Sequence, residues 1–133
     1  MLALFLLAAS VYEAPDPPRP KNQIDRLVFA NLDRLGIHPA ALSSDAVFLR
    51  RAYLDLTGTL PTANEARRFL GETNPNKRAE LIDSLLNREE FADYWANKWS
   101  DLLRIKAEFP INLWPNAAQA YHHWLRSAIS TGK

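Results

Sequence analysis

Four charged side chains stand in pairs within one helical turn of each other among apolar or aromatic neighbours: Arg51 with Asp55, and Asp101 with Arg104. Half-buried arginine–carboxylate pairs of this kind fix helix packing, and the same pairing builds anion or sugar sites. Asp55, Asp101, Arg51 and Arg104 are therefore the candidate catalytic or binding residues. No nucleophile–base pair, glycine-rich phosphate loop or HExxH run accompanies them, so the pattern favours structure over chemistry.

The remaining reactive residue types are less promising. His122 and His123 are adjacent and project about 100° apart on a helix, so they cannot share a metal as an i, i+4 pair would, and His38 lies on a distant loop. Glu89, Glu90 and Asp93 have a spacing that could hold a cation, but they occupy the first turns of a predicted helix, where the helix dipole favours carboxylates. Arg67-Arg68 and Lys77-Arg78 could meet phosphate, yet Glu72, Glu80 and Asp83 offset them nearby. No cysteine is present, which removes disulfides, thiolate zinc sites, iron–sulfur clusters and the C-x-x-C-H attachment of a c-type haem. No cofactor is expected in this chain.

These residues must be positioned by a chain of 133 residues, 47% hydrophobic and 23% charged, which is the usage of one ordinary folded domain. Sixteen Lys plus Arg against fifteen Asp plus Glu leave +1, which supplies little attraction for phosphate backbones or anionic membranes. The opening MLALFLLAASV is long enough for a secretory apolar region and too short to span a bilayer. Residues 1–11 are read as an export segment, although no Lys or Arg precedes the apolar run. Residues 12–23, with Pro15, Pro17, Pro18 and Pro20, are read as an extended proline-rich linker. Residues 24–133 are read as one helical domain.

Helical spacing predicts six helices in that domain. The first carries Ile24, Leu27, Val28, Leu32 and Leu35 and stops at Gly36, followed by Ile37 and Pro39. The second, capped by Ser43 or Ser44, carries Val47, Phe48, Ala52, Tyr53 and Leu56 and ends at Gly58. Thr62 and Glu65 form a T-x-x-E capping box for a third, which runs to Gly71. Asn74 with Pro75 opens a fourth bearing Leu81, Ile82, Leu85 and Leu86, and Asn87 with Glu90 opens a fifth. Phe91, Trp95, Trp99 and Leu102 make one inward stripe of the fifth. A sixth holds Tyr121, Trp124, Leu125, Ala128 and Ile129 after a break at EFPINLWPN. The expected fold is all-α, about six short helices in an irregular orthogonal bundle without a sheet. Its expected core is Phe48, Tyr53, Leu85, Phe91, Trp95 and Trp99.

Three runs in order, RRAYLDLTGTLPTANEARRFL, LIDSLLNREEFADYWANKWSDLLR and NAAQAYHHWLRSAIS, resemble the planctomycete and verrucomicrobial domain-of-unknown-function family 1549, often called the planctomycete cytochrome C-associated domain. The R-R-x-x-L-D-L-T-G-x-L-P run falls on Arg50, Arg51, Leu54, Asp55, Leu56, Thr57, Gly58, Leu60 and Pro61, and the W-x-D-x-x-R run on Trp99, Asp101 and Arg104. Phe91, Ala92 and Asp93 replace the usual Tyr-Gly-Glu, and Ile105 replaces an aromatic. The resemblance implies exported bacterial proteins, periplasmic or extracellular, in which this module sits beside cytochrome-c-like haem domains and others of the same polypeptide. Family members continue with a Lys-Pro-Tyr-like segment, so the domain is expected to be incomplete at Lys133, with an exposed apolar patch around Tyr121, Trp124, Leu125 and Ile129.

The resemblance establishes no activity. The leading expectation is a non-catalytic helical interaction module. An enzyme acting on carbohydrate or in redox chemistry, with Asp55, Asp101, Arg51 and Arg104 completed by a C-terminal region, is the alternative. A nucleic-acid binder is disfavoured by the export segment and the charge of +1.

Overall fold

A computed structural model of the chain describes residues 11–14, 18–107 and 114–133. Six helices follow in order: α1 (Gln23–Arg34), α2 (Asp45–Thr57), α3 (Ala63–Gly71), α4 (Lys77–Leu86), α5 (Glu89–Leu102) and α6 (Pro115–Ser130). Among the described residues no strand forms, and the fold is all-α. The export segment apart from Val11, together with Pro15, Pro17 and most of the break before α6, lies outside the described residues. The chain divides into two compact units, Met1–Phe48 and Leu49–Lys133, and the boundary falls inside α2.

In the first unit, α1 is closed at both ends by its own sequence. Asn22 Oδ1 accepts the Asp25 N–H at 2.8 Å and the Asp25 carboxylate accepts the Asn22 N–H at 3.3 Å, a reciprocal cap. At the other end Gly36 takes φ +66°, which lets Ile37 N–H reach Leu32 O at 2.9 Å and Gly36 N–H reach Asp33 O at 3.0 Å. The apolar stripe of α1 nevertheless stays in solvent: Ile24, Leu27, Val28 and Leu35 are exposed, and no α1 residue is buried. The proline-rich linker is more than a spacer. Ala14 N–H donates to Leu42 O and Ser44 N–H to Tyr12 O, pairing 12–14 antiparallel with 42–44. Ser44 then opens α2, its carbonyl accepting the Phe48 N–H at 2.9 Å.

The second unit begins with the inward row of α2, Leu49, Tyr53 and Thr57, all buried at i, i+4, i+8. The Thr57 hydroxyl donates to Tyr53 O at 2.9 Å, so its burial leaves no unmet donor. Gly58 at φ +68° turns the chain, and a Cβ built there would collide with the Tyr94 ring. This corner therefore needs glycine twice over, for its backbone conformation and for the approach of the Tyr94 ring. Three residues on, Thr62 and Glu65 form the predicted capping box of α3.

Three helix ends differ from the sequence reading. Gly71 is the last helical residue of α3 without positive φ, and the α3 C-terminus is capped instead by Lys77, whose Nζ donates to Phe69 O and Glu72 O. Pro75 precedes α4 as part of a turn in which Asn74 Oδ1 accepts the Asn76 N–H, and the helix starts at Lys77. Asn87 turns back to donate to Asp83 O, leaving Arg88 as the N-cap of α5.

The core consists of Leu49, Tyr53, Phe69, Leu85, Ala92, Ala96 and Leu125 with Thr57. Tyr53 and Leu85 stand where the sequence placed them, but the inward row of α5 does not. Ala92 and Ala96 are buried, Phe91 and Trp95 are half-buried beside them, and Trp99 and Leu102 are exposed. Phe48 is also half-buried. The reason is the size of the contact: two alanines one turn apart let α5 approach its neighbours closely, and the large rings are displaced to the flanks.

Gly58→Ala is expected to destabilise the protein by about 2–3 kcal/mol, from positive φ and from collision with Tyr94. In a Tyr94→Ala background the same substitution should cost only the backbone part, about 1 kcal/mol. Urea unfolding of the four proteins checks this, and equal costs in both backgrounds would remove Tyr94 from the explanation.

Candidate functional site

The buried row of α2 decides the fate of the first candidate pair. Arg51 and Asp55 sit roughly 200–240° around the helix from Leu49, so both face solvent. Asp101 is nine positions beyond Ala92, about 180° round α5, and is exposed in the same way. Arg104 follows the helix and is exposed as well. The expectation of half-buried ion pairs is thus corrected: among the described residues no hydrogen bond or ion pair joins Arg51 to Asp55, and Asp101 meets Arg104 only through its backbone carbonyl, 3.2 Å from the Arg104 N–H.

Arg104 has an unusual backbone. Its φ of +52° places it in the left-handed region, where it does the work glycine does at Gly36: Ile105 N–H donates to Ser100 O at 2.9 Å and closes α5. An arginine there carries strain that glycine would avoid.

The α5 carboxylates have a partner that the dipole argument omitted. Arg126 of α6 donates to Asp93 through a short hydrogen bond and lies 3.6 Å from Glu89. That hydrogen bond from Arg126 holds the Asp93 carboxyl below its usual range. One turn away His122 Nε2 lies 3.0 Å from Asn97 Oδ1. These pairs fix α5 and α6 as an antiparallel hairpin with a polar ladder along one side of the seam. The His122 and His123 rings meet edge to face, and no His, Asp and Glu grouping that could hold a metal occurs among the described residues.

The strongest electrostatic cluster was not among the candidates. Glu65 uses Oε2 for the N–H and hydroxyl of Thr62, and Oε1 for Arg88 at 2.5 Å. Arg88 also donates to the Tyr53 hydroxyl at 3.3 Å and lies 5.3 Å from the centre of its ring. The guanidinium of Arg88 and the Thr62 donors pull the Glu65 carboxyl down to about 2, and burial raises the Tyr53 hydroxyl above its ordinary value. A carboxylate that stays ionised and a phenol that stays protonated make a clamp, with neither poised to exchange a proton near neutrality. Beside them a cleft of about 140 Å³ is lined by Tyr53, Glu65, Phe69, Lys77 and Glu80. It is smaller than the several hundred Å³ of ordinary ligand sites. Of this cluster, sequence spacing exposed only the local half, the Thr62–Glu65 cap; Arg88 lies 23 positions away and carries no periodic signal.

The other feature of note is aromatic surface. Trp99, Trp114 and Trp124 are 46%, 80% and 61% exposed, and the Tyr121 ring lies tilted beside Trp124, 5.8 Å between centres. Of the four α6 residues expected in an apolar patch, Tyr121 and Trp124 are exposed, Leu125 is buried and Ile129 is half-buried.

Glu65→Gln should destabilise by about 1.5–3 kcal/mol at neutral pH, the range for hydrogen bonds to charged groups. Because the folded carboxyl lies near 2 against an ordinary 4.5, its contribution is complete above the unfolded value and fades as pH falls from about 5 toward 2. Urea unfolding of wild type and variant across that window should show the two converging in acid; a difference independent of pH would contradict the clamp.

No curated protein and no solved structure matches the chain. The family model described as PSCyt2, protein of unknown function (DUF1549), matches residues 23–133, so the chain belongs to that family of planctomycete cytochrome-associated domains.

Proposed function

We propose that the chain is a non-catalytic helical interaction module of an exported multidomain bacterial protein. The observation that carries this reading is the bare aromatic surface of the α5–α6 hairpin, since soluble helices seldom leave Trp99, Trp114 and Trp124 in water without a partner to cover them. The four candidate residues add support, for they are exposed and are linked by no side-chain bond among the described residues.

The family's association with cytochromes supports a neighbouring haem domain as the partner. With no cysteine, this chain offers no C-x-x-C-H motif, so a covalently attached haem would belong to that neighbour. Its contribution would be contact and orientation. No described helix is long and apolar enough to cross a membrane. The apolar opening run is assigned to export on its own length and composition.

Residues 1–22 fused to alkaline phosphatase should deliver active enzyme outside the bacterial cytoplasm, and Leu6→Arg, which breaks the apolar run, should abolish delivery. A fusion retained in the cytoplasm would remove export from the reading. Turnover of a carbohydrate or redox substrate by the isolated chain would remove the non-catalytic assignment.

A further inference from the structure

The apolar opening run gives way to the proline-rich segment at residues 8–14. A leader peptidase, the membrane-bound hydrolase that frees exported chains, reads small side chains at the first and third positions before the bond it cuts. The first twenty residues hold that pattern once, as Ala8-Ala9-Ser10, which points to the Ser10–Val11 bond. A cut one residue earlier would put Leu7 at the third position back. A cut after the next small residue, Ala14, would put Tyr12 there and Pro15 immediately beyond.

The structure separates the same alternatives by a different route. Tyr12 O accepts the Ser44 N–H at 2.9 Å, and the Ala14 N–H donates to Leu42 O at 2.6 Å, on either side of the Glu13–Ser43 bridge. Cutting after Ala14 would detach this pairing from the domain, whereas cutting after Ser10 leaves both bonds in place. Val11 and Tyr12 are 77% and 70% exposed, so a charge newly formed on Val11 stands in water and carries no burial cost. The other side of the pairing is firm, because Ser44 opens α2 through its carbonyl bond with the Phe48 N–H.

We propose that the Ser10–Val11 peptide bond is cut on export and that the mature chain keeps residues 12–14 clipped to 42–44. This rests on the export reading and adds to it a processing site and the state of the new terminus. The step is hydrolysis by the leader peptidase. Water adds across the amide: its hydroxyl goes to the Ser10 carbonyl carbon and a proton to the Val11 nitrogen as the C–N bond breaks. The carboxyl proton then passes to the new amine, leaving a carboxylate on the leader and an ammonium on Val11. The domain is released without its apolar run, and its first residues are held beside the start of α2.

The test expresses the full 133-residue chain in a bacterium and determines, by intact mass and N-terminal sequencing, which form leaves the cytoplasm. The exported form should begin Val-Tyr-Glu-Ala. Ala8→Phe keeps the run apolar but puts a large ring at the third position back, so the chain should still be exported while the ratio of uncut to cut form rises about tenfold or more. Ser10→Ala should be cut at the same bond. Exported chain that keeps residues 1–10, or that begins anywhere other than Val11, would overturn the site and leave export standing. Chain held in the cytoplasm would remove export and the site together. For the clip, amide exchange of the processed chain is followed by NMR. The Ser44 N–H should exchange about tenfold or more faster in Ala14→Pro, which deletes the Ala14 donor, than in the wild type. Equal rates would overturn the clip and make the new terminus a free tail.

Discussion

One carboxylate holds three parts of the second unit together. Glu65 caps the start of α3 through Thr62 and grips Arg88 at the head of α5, and Arg88 in turn reaches the buried Tyr53 of α2. None of these contacts is local to a single helix except the cap. The Glu65 carboxylate is only partly buried, and both of its oxygens are used in hydrogen bonds. The clamp sets where α5 begins relative to α2, and that placement brings Tyr94 against the Gly58 corner and Ala92 and Ala96 into the core. The apolar packing is conventional; its register is set by polar bonds.

Local signals in the sequence were legible where a structural event involves a few neighbouring residues. Gly36 and Gly58 adopt the left-handed conformation, and Thr62 with Glu65 forms its box, because each is decided within a single turn. Asn74 and Asn87 misled because asparagine has several local hydrogen-bonding options besides capping, and both took another. The inward face of α5 was misread for a different reason. A stripe of Phe91, Trp95, Trp99 and Leu102 outweighs two alanines in any hydrophobic pattern, yet close helix approach selects the small residues for the contact. Arg88 was not legible at all, since a partner 23 positions away leaves no trace in spacing.

The same misreading bears on function. Trp99 was assigned to the core, and its exposure moves attention from the paired charges to the aromatic end of the hairpin. Of the motif residues, Asp55 and Arg51 face solvent on α2, while Trp99 and Arg104 lie together at the end of α5. The arginine keeps a strained backbone there and the tryptophan keeps its ring in water. The exposed ring is unfavourable for an isolated domain and is relieved where a partner covers it.

The clamp can be observed directly by following the side-chain carboxyl carbon of Glu65 by NMR through an acid titration of the folded protein. A midpoint near 2 is the expected result, since Arg88 and Thr62 stabilise the ionised form. A midpoint near the ordinary 4.5 would mean that Glu65 is solvated and free, and that the placement of α2, α3 and α5 has another cause.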